Sequence, residues 1–235
     1  MTRHTVYIDG RSAHAAMHAA ALRTLPSAFE FAADSRTADV IVGDAAFLRD
    51  ALATGVHAST AVVVDPYAQD WREVDELWAL ATKHEVRVER SNVDVRALDD
   101  VRGLFASIID GDQPYLVEVH LESLGDEPSR LSQVVAQLAH LGIECPTPDL
   151  HRTTDGWTAG TNDERVTLRA HCVNSTALAP AVRIVATTGD RKVAVRIPLG
   201  PDATPVTTEI RAAEGSRTVQ SPHVSPARAF WQSLA

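Results

Sequence analysis

Apolar residues in this chain keep one rhythm up to about residue 111 and another beyond Pro114. In the first stretch, short β-branched runs alternate with segments of helical spacing. Thr5 to Gly10 reads as a strand ending in glycine, and Ser12 to Thr24 as an alanine-rich helix. Ala28 to Ala33 is a second strand. "ADVIVGDA" (38–45) and "AVVVDP", closed by Pro66, are apolar throughout, the pattern of strands covered on both faces. Between them Phe47 to Thr54 makes a helix that stops at Gly55. Asp70 with Glu73 opens another helix, on which Trp71, Val74, Leu77, Trp78 and Ala81 share one side. "VRVER" follows as a strand, then a helix with Val101, Leu104, Phe105 and Ile108 that Gly111 terminates. Strands alternating with helices predict a parallel sheet.

Past Pro114 the period drops to two: "YLVEVHLES", "ERVTLRAHCV", "AVRIVATTG", "KVAVRIPL" and "TTEIRAA" each put polar residues on one face and apolar ones on the other. A helix from Leu131 to Leu141 interrupts them before Gly142, and the tail "SPHVSPAR" reads as irregular. The expected organisation is a parallel-sheet α/β domain over 1–113 and an α+β domain with an open, mostly antiparallel sheet over 114–235.

Composition narrows the partners. With 45% hydrophobic and 23% charged residues in 235, the chain has the make-up of a soluble globular protein, and no apolar run approaches the roughly 18 residues of a membrane span. The N-terminus enters a strand without a signal-like apolar region, so a cytoplasmic location and no membrane partner are expected. A formal net charge of -9 opposes a phosphate backbone, which excludes nucleic acid as the expected partner. Cys145 and Cys172 show no paired spacing and are expected as free thiols.

The candidate chemistry begins at "TVYIDGRSAHAAMHAAAL". A strand, a glycine turn and a helix form the entrance of a dinucleotide site, with Gly10, Ser12, Ala15 and His18 spaced as Gly-x-Gly-x-x-Gly-x-x-His would be. On these residues, and on the order of elements along nearly the whole chain, the sequence resembles the Gfo/Idh/MocA family of NAD(P)-dependent oxidoreductases, which join a Rossmann domain to an α/β domain with an open antiparallel sheet. The resemblance implies NAD or NADP as cofactor, if any is kept, held through Gly10, Ser12, Ala15 and Asp34, the last standing where the family binds the ribose hydroxyls. It also shows where the chain departs. Ser12 and Ala15 replace two glycines, and the few residues between Asp34 and "ADVIV" leave no room for the family's next helix and strand, so the Rossmann-like domain is shortened. Within "GVHASTAVVVDP" Gly55, His57 and Pro66 match the family, while its lysine falls at Asp65 and the preceding glutamate at Val64. Asn92, Arg96 and Gly111 are kept in the following segment; Ser132 stands where a second catalytic histidine belongs. A carboxylate in place of an ammonium repels a developing oxyanion.

These departures predict a divergent oxidoreductase-like protein without ordinary NAD(P)-dependent catalysis, an accessory or oligomerising subunit that pairs with itself or with a homologous chain. Two alternatives stand beside it. One is an active NAD(P)-dependent oxidoreductase on a small metabolite, with His18, Asp65 or Arg96 recruited for proton transfer. The other is a non-redox enzyme using the former substrate cleft, with Asp65 at the end of a buried strand as its main group. The second domain offers a polar sheet face, with Glu118, His120 and Glu122 on one strand, Arg165, Thr167, Arg169 and His171 on another, and Lys192, Ala194 and Arg196 on a third; it is expected as a solvated or subunit-covered surface rather than a pocket. His140, Cys145, Asp149 and His151 are spaced too irregularly for a metal site, and no metal is expected.

Overall fold

The computed structural model describes residues 3–12, 14–64, 69–91, 98–109, 115–122, 130–144, 148–175, 177–199, 205–220 and 225–235. They form two compact units, Met1–Val93 with Ser225–Ala235 and Asp94–Gly200 with Thr204–Val224.

In the first unit the alternating pattern becomes β1 (His4–Ile8), α1 (Ala15–Arg23), β2 (Phe29–Phe31), β3 (Val40–Gly43), α2 (Ala45–Ala53), β4 (Thr60–Val64), α3 (Trp71–Lys83) and β5 (Arg87–Ser91). The sheet order is β2-β1-β3-β4-β5 and every neighbouring pair is parallel. Only a 3-10 turn, Ser35–Thr37, separates β2 from β3. With no helix and strand inserted there, three-residue β2 is left as the sheet edge. Ile41 and Val63 face Leu48, Leu52, Leu77 and Ala81, so α2 and α3 cover one side of the sheet. The turn from β3 into α2 is tight, and a Cβ at Gly43 would lie 2.3 Å from the Phe47 ring, which explains a glycine in an otherwise branched strand.

The second unit opens with a 3-10 turn at Asp99–Val101 leading into α4 (Arg102–Ile109). It continues through β6 (Tyr115–Glu122), α5 (Arg130–His140), β7 (Asp149–Thr153), β8 (Gly156–Asn162), β9 (Val166–Val173), β10 (Ala181–Thr187), β11 (Lys192–Pro198), β12 (Thr207–Ala212) and β13 (Gly215–Gln220). Eight strands run in the order β13-β12-β11-β10-β6-β9-β8-β7. All pairs are antiparallel except β6 with β9, which is parallel and bridged by α5 and the β7–β8 hairpin. Val117, Val119, Ile184 and Val195 are fully buried on one face, while Glu118, His120 and Glu122 stay half-buried on the other. This is the expected α/β architecture, a shortened Rossmann-like parallel sheet followed by an α+β unit with a mostly antiparallel sheet. Strands β7, β8 and β13 are additions to what periodicity predicted.

The C-terminal tail corrects another expectation. Ser225 caps a helix, α6 (Pro226–Gln232), accepting from the Arg228 amide, with Pro226 in the first turn. α6 belongs to the first unit, where Phe230 and Trp231 are fully buried and Trp231 meets Phe29 edge-on at 5.2 Å. Phe29 shares the side of Val6, so α1 and α6 cover the sheet face opposite α2 and α3. Among the described residues no helix is long and apolar enough to cross a membrane.

Candidate functional site

In the order β2-β1-β3 the chain leaves β1 in opposite directions, first to β2 and later to β3. The crevice beyond the carboxyl ends of β1 and β3 is therefore the topological switch point of the sheet, where ligands of such folds gather. Asp9 and Gly10 close β1 on one side of it, and Asp44 closes β3 on the other. Asp44 caps α2 by accepting from the Phe47 amide at 2.7 Å. Asp9 is buried and receives the Arg11 amide at 3.3 Å and its Nε and Nη2 at 3.1 and 3.3 Å. Asp9 and Asp44 both stabilise the charge on Arg11, whose pKa rises accordingly.

The turn itself is short: the Ser12 amide donates to the Asp9 carbonyl, and Ala15 to that of Ser12. His14 enters α1 in the left-handed region, at φ 59°, without a side-chain cap, and no acidic residue occupies the first turn. The amides at this helix start carry positive potential that nothing negative in the helix answers. Space above Gly10 is open, since a Cβ built there meets nothing within 4 Å. Ser12 is buried and its hydroxyl has no hydrogen-bond partner among the described residues. An orphaned hydroxyl beside an open glycine, at a helix start with no acidic residue in its first turn, suits a phosphate. Ala15 opens the helix, half-buried, in the place where a glycine would permit closer packing on the strand.

Asp34, expected from the resemblance to read a ribose, has its carboxylate engaged by Arg36. Oδ1 accepts from the Arg36 amide at 2.9 Å and from Nε at 3.2 Å; Oδ2 accepts from Nε at 3.1 Å and Nη2 at 2.6 Å. The Arg36 side chain, then its amide, holds the Asp34 pKa down at about 2. Three N–H donors, the Arg36 amide, Nε and Nη2, engage the two oxygens, with Nε shared between them, so a diol would reach this carboxylate only in competition with Arg36.

His18 is closed off rather than presented. It is fully buried, with Trp231 Nε1 3.1 Å from Nδ1 and Ser91 Oγ 3.0 Å from Nε2. An indole N–H can only donate, so Nδ1 is the acceptor, the proton sits on Nε2, and Ser91 Oγ receives it. Burial, helped by neighbouring His14, lowers the imidazole pKa to about 3. The ring is a neutral bolt joining α1, the end of β5 and α6, and neither nitrogen is left for a substrate.

Asp65 and Arg96 lie outside the described residues, as do Pro66, Asn92, Gly111 and Cys145. Just after the segment that holds Asp65, Gln69 accepts from the Ala45 amide at 2.6 Å and donates to the Val64 carbonyl, tying the end of β4 to the start of α2. Sequence reasoning passed over Gln69, Arg11, Arg36, Ser91 and Trp231. Only Arg11 and Arg36 carried a local signal, each standing two residues after an aspartate at a turn. His140 bonds Asp99 at 2.7 Å, while Asp149 and His151 lie on β7. No group of three or more possible metal ligands occurs among the described residues.

No protein-family model matches the sequence, and no curated protein matches it. Solved structures do match, at the level of fold. The dehydrogenase MviM from Clostridium difficile is 11% identical with a TM-score of 0.62, over 98% of this chain and 89% of that one. KijD10, a 3-ketoreductase from Actinomadura kijaniata in complex with NADP and TDP-benzene, is 14% identical with a TM-score of 0.63, over 99% and 90%. A super-repressor mutant of Gal80p from Saccharomyces cerevisiae is 9% identical with a TM-score of 0.64, over 99% and 86%. The fold is that of the Gfo/Idh/MocA-type oxidoreductases, and it is shared by a repressor as well as by enzymes.

Proposed function

We propose that this protein is an accessory or oligomerising subunit on an oxidoreductase fold, without ordinary NAD(P)-dependent catalysis. The observation that carries the reading is the Asp34–Arg36 pair. A dinucleotide needs a phosphate cradle and a ribose anchor together. Gly10, Ser12 and the start of α1 fit the phosphate, but Asp34 has both oxygens engaged by Arg36. The residues therefore do not fit NAD as the related folds hold it, and no hydride-transfer step is derived through it. Asp65, in place of the lysine the resemblance implies, points the same way. The Gal80p match is consistent with a non-catalytic role on this fold.

A second reading has one observation in its favour. An arginine beside the ribose-reading position accommodates a 2′-phosphate, so Arg36 would make the site prefer NADP, the cofactor found with KijD10. Titrating the purified chain with NADH and NADPH, followed by nicotinamide fluorescence, separates the two. The accessory reading expects neither to saturate in the micromolar range and expects Arg36→Ala to gain affinity for NADH by freeing Asp34. Saturable NADPH binding that Arg36→Ala abolishes would establish the second reading in its place. The Arg36–Asp34 pair is largely solvent-exposed, so this change should leave folding intact.

A further inference from the structure

The polar face of the second sheet holds a charge arrangement that its own packing does not balance. Register sets Arg183 on β10 directly opposite Arg196 on β11 and, on its other side, opposite His120 on β6. Like charges facing one another across a strand pair repel. Arg196 is relieved by Glu122, with Nη2 3.2 Å from Oε2. Arg183 is half-buried and has no ion pair or hydrogen bond among the described residues. Glu118, the nearest remaining carboxylate on β6, stands in register with Val185 on β10 and with Arg169 on β9.

Beside the two arginines the small side chain of Ala194 leaves a depression of about 300 Å³, walled by Arg183, Arg196, Thr207, Glu209 and Thr218. Glu209 is the one carboxylate in that wall, and it is bonded by Arg211 Nε. Lys192 and Arg211 lie on the same face, so β10 to β12 gather four cations against Glu209 in a chain whose net charge is -9. The planar donor fork of a guanidinium matches the edge of a tetrahedral oxyanion, and hydroxyls supply further donors at its corners.

We infer that this depression is a binding site for the phosphate group of a small molecule, held by Arg183 and Arg196, with the Thr207 and Thr218 hydroxyls as further donors. The site does not depend on the reading of the first unit. The test uses the full chain at low ionic strength, with inorganic phosphate as the probe and chloride at matched ionic strength as the control, followed by amide chemical shifts. Saturable shifts confined to residues 181–187, 192–198, 207–212 and 215–220 are expected. They should be at least tenfold weaker in Arg183→Gln, severalfold weaker in Thr218→Val, and unchanged in Arg152→Gln, which removes a charge from β7 outside the depression. Shifts that chloride reproduces, or that Arg183→Gln and Thr218→Val both leave intact, overturn the assignment. So does a phosphate response that accompanies dissociation of a dimer in sedimentation, because the occupant would then be a second copy of the chain.

Discussion

His18, Ser91 and Trp231 form a buried hydrogen-bonded chain in the first unit, and His18 is the link at which pH enters. Its folded pKa is about 3, against an ordinary 6.5 in the unfolded chain. Above 6.5 the ring is neutral in both states and costs nothing. As pH falls below that value the unfolded chain takes up a proton that the folded chain refuses, so stability declines by up to about 1.4 kcal/mol per pH unit until the folded value is reached. Urea unfolding between pH 7.5 and 4.5 should show the decline. His18→Gln should be less stable at pH 7 by about 1–3 kcal/mol, because Trp231 or Ser91 loses a partner, yet its pH dependence should be visibly flatter. Equal slopes for the two chains would mean that the ring protonates freely inside the fold.

At the scale of elements, two glycines in the second unit separate backbone strain from steric exclusion. Gly156 opens β8 at φ 151°, and a Cβ there would sit 1.9 Å from the Cys172 carbonyl oxygen on β9. Gly215, at φ 135°, opens β13 with nothing within 4 Å of such a Cβ. Gly215→Ala should cost only the conformational penalty of about 1 kcal/mol, whereas Gly156→Ala must push β8 off β9 and should cost about 3 kcal/mol or more. Thermal unfolding of both variants measures the difference; similar losses would show that the β8–β9 pairing yields easily. β8 and its neighbours also show why some strands escape periodicity. β7 is exposed or half-buried along its length and β13 exposed throughout, so neither has an apolar face to read. The signal for α6 was present, a Ser-Pro pair at the cap and first turn, but the same pair is equally at home in a turn.

For the whole molecule, the acidic balance of the chain and the mixed sheet face bear on association. Glu118 on β6 stands in register with Arg169 on β9, a pairing that a second copy related by a two-fold axis could satisfy reciprocally. A contact of this kind would depend on partly exposed ion pairs. Salt should weaken it as the screening length falls from about 10 Å at 0.1 M to about 3 Å at 1 M. Sedimentation at micromolar concentration should therefore show a larger species at low salt that dissociates at high salt. A monomer under both conditions, with no homologous partner recovered, would leave this face solvated.

What the sequence determined by itself is what depends on burial of one face at a time. Continuous apolar runs in Val40–Gly43 and Thr60–Val64 required a sheet covered on both sides, and alternation in β6, β9, β10 and β11 required one covered on a single side. The short span between Asp34 and Val40 had no room for another helix and strand. Tertiary structure decided the rest, because side-chain partners follow from register and from returning chain ends. His18 meets Ser91 and Trp231 at separations of 73 and 213 residues, so a residue in a nucleotide-site motif becomes a buried bolt only when α6 comes back. Arg183 faces Arg196 only because the β10–β11 register sets them opposite each other. Periodicity assigns a residue to a face; the pairing of strands and the path of the chain choose its neighbours.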